Sequence, residues 1–313
     1  MSKERGGWST TLRGDWLVTV SMREGFRLCN LGIGPESEGM GRLFDFDESV
    51  RARVLATDLD GTLIPLPDSQ ANLQDLRTLG DLLREGDHPL IFATGRSFDS
   101  TMEAISSHGL PTPDWIVCDV GSAIYRREDD AYIAYAPYVS HLRDLVQDFD
   151  RATIEQRMAT LEGLQLQEAV HQQEFKISFL SPPELLEELV SALEKACREE
   201  GLPFSPMGCI DPFDNCGLID ILPIGVNKGY ALIWLATHAD FDPSEVVFSG
   251  DSGNDFAALV CGFRATVVSN ASQEVRTRVT GEVDRLGYTE RVFYATKAAT
   301  SGVLEGARHH GLF

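Results

Sequence analysis

Val54-Leu55-Ala56-Thr57-Asp58-Leu59-Asp60-Gly61-Thr62 is the stretch from which the rest of the chain is read. An apolar run, Val54 to Ala56, leads into two aspartates two positions apart, then Gly61 and the hydroxyl of Thr62. The run predicts a buried strand of a parallel sheet whose C-terminal end opens into a loop. In open α/β sheets that end of the strands is where ligands bind. While the chain stays extended, Asp58 and Asp60 share a face. Two close like charges repel and raise one pKa unless a cation lies between them. The pair therefore points to a metal site, a nucleophile or both. The alternative is a strand followed by an ordinary acidic turn, since Asp and Gly are common turn residues.

The surrounding composition narrows the choice. Of 313 residues, 43% are hydrophobic and 24% charged, an ordinary globular balance that needs no disulfide staples. The length predicts two domains. A formal net charge of -21 argues against a nucleic-acid partner and against an anionic membrane face. An anionic substrate is then expected only where local cations or a metal overturn the global field. The six cysteines form no CxxC pair and are read as reduced thiols of a cytoplasmic protein. No apolar run approaches the ~18 residues of a membrane span, and Leu17 to Val20 is too short for a signal segment.

Residues 1–50 read as an extension of unassigned role, with short strands over Trp16 to Val20 and Phe26 to Leu31 and a loop over Gly32 to Gly41. From Arg53 a regular alternation begins. A helical stripe of Leu73, Leu76, Leu79, Leu82 and Leu83 follows the first strand. A strand over Pro89 to Ala93 ends at Thr94-Gly95-Arg96, a helix covers Phe98 to Ser107, and a strand over Trp115 to Val120 ends at Gly121-Ser122. This is the pattern of a doubly wound parallel α/β sheet, a Rossmann-like core. Residues 128–217 change character and read as an α+β module inserted between 51–127 and 218–313; the resemblance given below implies that the insertion is a cap and the flanking parts the catalytic core domain. Within the insertion, Tyr132 to Tyr138 is strand-like, Ser140 to Leu161 helical, Phe175 to Leu180 a strand and Pro182 to Glu200 a helix. Leu218 to Leu222 is a strand at the return to the core. A helix opens at Asn227-Lys228-Gly229, and a strand over Val246 to Ser249 ends at Gly250-Asp251-Ser252-Gly253-Asn254-Asp255.

Polar residues thus gather at one sheet edge: Asp58, Asp60, Thr94, Lys228, Asp251 and Asp255. Thr94-Gly95 alone is a plain turn, and Asp251 with Asp255 alone is a capped acidic first helical turn. Lys228 is harder to explain locally. A helix N-terminus carries partial positive charge, so a lysine there implies an anion nearby. Four carboxylates, a hydroxyl and a lysine together call for a divalent cation, Mg²⁺ by its preference for hard oxygen ligands, and an anionic ligand. That set supports phosphoryl transfer, in which one carboxylate attacks phosphorus and another acts as general acid and base.

The order of these groups resembles the haloacid dehalogenase superfamily of phosphatases. Its four motifs stand as Asp58 to Thr62, Thr94-Gly95-Arg96, Lys228, and Gly250 to Asp255. Pro113-Asp114-Trp115, Val120-Gly121-Ser122 with Ile124-Tyr125, Lys176-Ile177-Ser178, Asp220-Ile221-Leu222-Pro223, Ser269-Asn270-Ala271, and Tyr294-Ala295-Thr296 with Gly302-Val303-Leu304 are similar to its sucrose-phosphate phosphatase branch. The likeness covers roughly residues 52–313. One departure is Ala123, where the branch usually has an acidic residue; another is the longer stretch from Gly208 to Gly217.

The resemblance implies roles. Asp58 is the expected nucleophile, and Asp60 the acid that protonates the leaving sugar oxygen and then the base that activates water. Thr94 and Lys228 hold the phosphoryl group. Mg²⁺ is held by Asp58, the Asp60 backbone carbonyl, Asp251 and Asp255. Gly95, Arg96, Gly121, Ser122, Lys176, Ser178 and Asn254 complete the expected substrate contacts, with His171 and Asp220 read as structural. The expected activity is hydrolysis of a disaccharide or glycoside phosphate, sucrose 6-phosphate first, with mannosylfructose phosphate and other compatible-solute phosphates as alternatives. A sugar phosphomutase and an inert regulatory subunit docked to a glycosyltransferase are the rival classes. The expected partners are a small-molecule sugar phosphate and a glycosyltransferase synthase.

Overall fold

A computed structural model describes residues 44–147, 151–210, 216–239 and 241–313. The strands expected within 1–43 lie outside the described residues, as does part of the long stretch after Gly208. The first strand is β1 (Val54–Thr57), buried along its whole length. Helix α1 (Gln70–Glu85) is capped by Ser69, whose side chain accepts from the Asn72 amide. It buries Leu76, Leu79 and Leu83 and leaves Leu73 exposed. Then come β2 (Leu90–Ala93), α2 (Phe98–His108), β3 (Trp115–Cys118), β4 (Ala123–Glu128) and β5 (Ala131–Ala134). The inserted part carries α3 (Ala136–Val146), α4 (Arg151–Met158), β6 (Gln165–Leu166), β7 (Ile177–Ser181), α5 (Leu186–Glu199), β8 (Phe204–Ile210) and β9 (Gly217–Pro223). The chain closes with α6 (Lys228–His238), β10 (Val246–Gly250), α7 (Phe256–Leu259), β11 (Arg264–Val267), α8 (Gln273–Leu286), β12 (Val292–Tyr294) and α9 (Ala299–His309).

Two sheets result. The large one has the order β12-β11-β10-β1-β2-β3-β4-β5, parallel from β12 to β3 and extended by the antiparallel hairpin of β4 and β5. From β1 the chain winds outward through β2 and β3, and later through β10, β11 and β12 on the other side. The direction of winding therefore reverses between β1 and β10, the crevice where α/β sheets take ligands. The parallel strands are continuous apolar runs because helices cover both faces. The small sheet has the antiparallel order β6-β7-β9-β8.

The two sheets divide the chain a few residues later than 128 and 217. Ala131–Ala134 pairs with β4 in the large sheet, and Gly217–Pro223 pairs with β7 and β8 in the small one. The reason is visible in β9. Ile219 and Ile221 are buried while Leu218 and Asp220 are partly exposed, the alternation of a sheet with one solvated face. Tyr132 to Tyr138 is strand only as far as Ala134; α3 then starts at Ala136, with Pro137 in its first turn. Residues 44–50 belong to the core edge. Phe44 is buried against Phe263, and the Asp47 amide donates to Ser244 Oγ. Among the described residues no helix is long and apolar enough to cross a membrane.

Candidate active site

The C-terminal ends of β1 and β10 are neighbours in register, Thr57 opposite Ser249, so the residues just beyond them converge. Asp58 follows β1 and is buried. The chain then turns sharply over 59–63, with Gly61 at φ +76°. A Cβ at Gly61 would fall 2.5 Å from Asp251 Oδ2, so this glycine gives the Asp251 carboxylate its room. Thr62 donates to Asp251 Oδ1 at 2.9 Å, and Asn270 donates to the Gly61 carbonyl at 2.8 Å.

Lys228 is the first residue of α6, and its side chain is fully buried. Its three ammonium protons have three acceptors: Asp58 Oδ1 at 2.7 Å, Asp255 Oδ1 at 2.7 Å and Asn254 Oδ1 at 2.9 Å. The anions that a lysine at a helix N-terminus requires are therefore protein carboxylates first. Burial opposes the ammonium, and the Asp255 and Asp58 carboxylates outweigh it, so its pKa is raised. Burial and repulsion from Asp255 hold the Asp58 carboxyl well above the usual carboxylate range against the pull of Lys228. Burial, then Asp255, pushes Asp251 up to about 6.

One carboxylate oxygen each from Asp58, Asp251 and Asp255 lies within 4.8 Å of the others. The donor set fits a divalent cation such as Mg²⁺: hard oxygens only, with two carboxyls held up by burial and mutual repulsion that a cation relieves. The three carboxylates are not equivalent. Asp255 Oδ1 is taken by Lys228, while its Oδ2 accepts from the Asp251 amide, the Ser252 amide and the Ser252 hydroxyl. Among the described residues Asp251 Oδ2 meets only the side-chain amide of Asn270, at 3.4 Å. Asp58 and Asp251 thus each keep a carboxylate oxygen open, whereas Asp255 is braced on both of its oxygens.

Asp60 turns toward the second motif. Arg96 Nε and Nη2 each donate to one of its carboxylate oxygens at 2.6 Å, a bidentate clamp, and Arg96 Nη1 donates to Ser100. Thr94 is buried, and its hydroxyl accepts from the Arg96 amide. Gly95 lies beside Asn254, where a Cβ would stand 3.4 Å from Asn254 Nδ2. Gly121 abuts the start of α6, where a Cβ would strike the Asn227 carbonyl at 2.4 Å. Ser122 is buried and donates to the Asp119 carbonyl.

Lys176 and Ser178, the cap residues expected at the substrate, are both buried. Lys176 is buried against Asp119 at 2.7 Å. Ser178 donates to Asp220 Oδ1 at 2.5 Å, so Asp220 shares the underside of the small sheet with both. Asp119 and Ser252 had no place in the expected site. Asp119 follows a buried strand as Asp58 and Asp251 do, and that repeated pattern is the signal that marks it.

With this geometry in hand, comparison with known proteins gives one family. A family profile described as sucrose-6F-phosphate phosphohydrolase matches residues 51–311. The mannosylfructose-phosphate phosphatase of Agrobacterium fabrum is 30% identical over 266 residues, 83% of this chain and 97% of that protein. A protein of Nitrosococcus oceani described as HAD-like is 32% identical over 82% of this chain and 71% of its own length. The sucrose-phosphatase of Synechocystis, solved with sucrose and phosphate, superposes with a TM-score of 0.66 at 28% identity, covering 83% of this chain and 98% of that one. The chain belongs to the sucrose-6F-phosphate phosphohydrolase family and is a phosphoric monoester hydrolase with a haloacid dehalogenase-type fold.

Proposed function

We propose that this member of the sucrose-6F-phosphate phosphohydrolase family is a Mg²⁺-dependent phosphatase of a disaccharide or glycoside phosphate, working through an aspartyl phosphate on Asp58. The observation that carries the reading is the fully buried Lys228, whose three protons are spent on Asp58, Asp255 and Asn254. It holds the nucleophile in place and supplies positive charge where the phosphoryl group is to sit. Asp58 and Asp251 would hold Mg²⁺, which would neutralise phosphate charge so that a carboxylate can approach phosphorus.

Asp58 then forms a bond to phosphorus as the bond to the sugar oxygen breaks, and that oxygen takes a proton from Asp60. Water attacks the aspartyl phosphate, Asp60 takes its proton, and inorganic phosphate leaves with Asp58 restored. A carboxylate clamped by both arms of a guanidinium presents no proton to a leaving group. Asp60 must therefore turn away from Arg96 as substrate enters.

Sucrose 6-phosphate is the first candidate substrate and mannosylfructose phosphate the second, on the strength of the two relatives so named. Both are products of glycosyl transfer, so the proposed partner is the glycosyltransferase that makes the phosphate ester. We place the reaction in the cytoplasm, where sugar phosphates are held and where the free thiols of Cys118, Cys197 and Cys261 stay reduced. The test is phosphate release from sucrose 6-phosphate, mannosylfructose phosphate, trehalose 6-phosphate, glucosylglycerol phosphate and hexose phosphates, with and without Mg²⁺. Strong preference for one disaccharide phosphate, lost in Asp58→Asn with the fold intact, supports the reading. Undiminished turnover in Asp58→Asn refutes the nucleophile assignment.

A further inference from the structure

Asp119 is the first residue beyond β3, at the sheet end that also carries Asp58 and Asp251. Its side chain is 2% exposed, and its Oδ1 lies 2.7 Å from Lys176 Nζ, whose side chain is 7% exposed. The Lys176 ammonium is the group that compensates this buried oxygen. Lys176 stands just before β7, in the cap. Among the described residues this is the one ion pair that joins cap to core.

The backbone under Asp119 is unusual. Asp119, Val120 and Gly121 take φ of +50°, +58° and +103° in succession. A β-branched residue in that region is strained and persists only where its surroundings hold it. Four bonds do so here. The Asp119 amide donates to the Arg96 carbonyl at 2.9 Å, and the Val120 amide to the Thr94 carbonyl at 3.2 Å. Ser122 Oγ donates to the Asp119 carbonyl, and Tyr138 of the cap helix α3 donates to the Gly121 carbonyl at 2.6 Å. The strained turn is therefore tied on one side to the Thr94–Arg96 loop and on the other to the cap.

We propose that Asp119 is a positioning residue: through Lys176 it sets the closed register of the cap sheet over the Thr94–Arg96 loop, and so the length of sugar phosphate the site accepts. The proposal rests on the reading above that the Lys176 and Ser178 face meets the sugar while Thr94 and Lys228 hold the phosphate. A buried ion pair adds little net stability over apolar packing, and its best attested use is to specify a register. This pair does so across the one gap whose width the substrate must match. Burial opposes the Lys176 ammonium, and the charges of Asp220 and Asp119 together outweigh it, so its pKa is raised. Losing Asp119 leaves the lysine a partner on the cap alone and frees it from the core.

The test uses Asp119→Asn, which keeps the side-chain shape and a residue type that tolerates positive φ. We would measure kcat and KM for the disaccharide phosphate that the wild type prefers, and for p-nitrophenyl phosphate, whose leaving group is too short to reach the cap sheet. The expected result is a ~10- to 100-fold fall in kcat/KM for the disaccharide phosphate, the scale of a 1 Å misplacement, with p-nitrophenyl phosphate turnover retained. Lys176→Met lowers disaccharide turnover too, and the double variant is no worse than the worse single. Equal loss on both substrates, an unchanged ratio, or additive losses would each overturn the proposal. Small-angle scattering of the free proteins gives a readout that needs no sugar. A larger radius of gyration in Asp119→Asn is expected, and an unchanged one counts against the latch. If the wild type cleaves p-nitrophenyl phosphate but no disaccharide phosphate, the substrate reading fails, and scattering alone then decides the role of Asp119.

Discussion

Lys228 Nζ lies 2.7 Å from Asp255 Oδ1, while the other oxygen of Asp255 is saturated by the Asp251 and Ser252 amides and the Ser252 hydroxyl. Asp255 therefore links the start of α6 to the loop that carries Asp251. Through Lys228 the link continues to Asp58. Asp58, Lys228 and the loop that bears Asp251 are positioned as one unit.

The first prediction concerns the centre of that unit. Lys228→Met leaves Asp58 and Asp255 buried without their cation. Removing one partner of a buried ion pair costs about 3–5 kcal/mol, so a lowered melting midpoint in metal-free buffer is expected. Loss of a preorganised charge at the phosphoryl site lowers kcat by ~10²–10³-fold or more. Single-turnover phosphate release, with thermal melts alongside, checks both. A variant with normal melting and near-normal kcat would show that Lys228 does neither job.

Arg96 holds Asp60 with two 2.6 Å bonds that depend on the planar fork of a guanidinium. Arg96→Lys is therefore expected to behave like Arg96→Ala rather than like wild type. Both should lower kcat with the sugar phosphate, because Asp60 loses the group that parks it beside the site. Steady-state kinetics on the two variants checks this, and full activity in Arg96→Lys would mean that charge alone suffices.

His310 offers a pH test remote from the site. Its Nε2 is within 3.1 Å of the Ala265 carbonyl, and burial pushes its pKa down to about 4, with His309 and Arg264 adding to the fall. The unfolded chain binds this proton near pH 6.5 while the folded protein resists it until about 4. Stability from this group is present above about 6.5 and is lost as pH falls toward about 4. Replacing it by Gln should flatten the stability profile across that window, as read from denaturant melts at several pH values.

The parts of this architecture legible in the sequence are those set by short-range physics. Val54 to Ala56 reads as a core strand because burial on both faces demands an unbroken apolar run, and Lys228 reads as a site residue because a helix start repels a cation. Leu218 to Leu222 reads as a strand at the return to the core, yet its Leu-Ile-Asp-Ile alternation marks a one-faced sheet, and the structure pairs the strand Gly217–Pro223 with β7 and β8. The Arg96–Asp60 clamp and the Lys176–Asp119 pair were not legible. Each joins residues 36 or more apart, and which way a long side chain turns is settled by the packed surroundings rather than by its neighbours in sequence.

Gly61 makes the metal site testable without touching a ligand. Its φ of +76° is available to an L-residue only at a cost of about 1–2 kcal/mol, and an added Cβ would fall 2.5 Å from Asp251 Oδ2. Among the described residues that oxygen is engaged only by the Asn270 side-chain amide at 3.4 Å, and the Thr62 bond to Oδ1 keeps the carboxylate from swinging clear. Gly61→Ala should therefore displace Asp251 Oδ2, the oxygen proposed to hold the cation, while every carboxylate remains. A ligand that binds only the folded state raises the melting midpoint, so Mg²⁺ should stabilise the wild type, stabilise Asp251→Asn little, and fall between the two in Gly61→Ala. The activity of Gly61→Ala should recover in part at high Mg²⁺, whereas Asp251→Asn should not recover. Equal Mg²⁺ stabilisation of all three proteins would place the cation elsewhere.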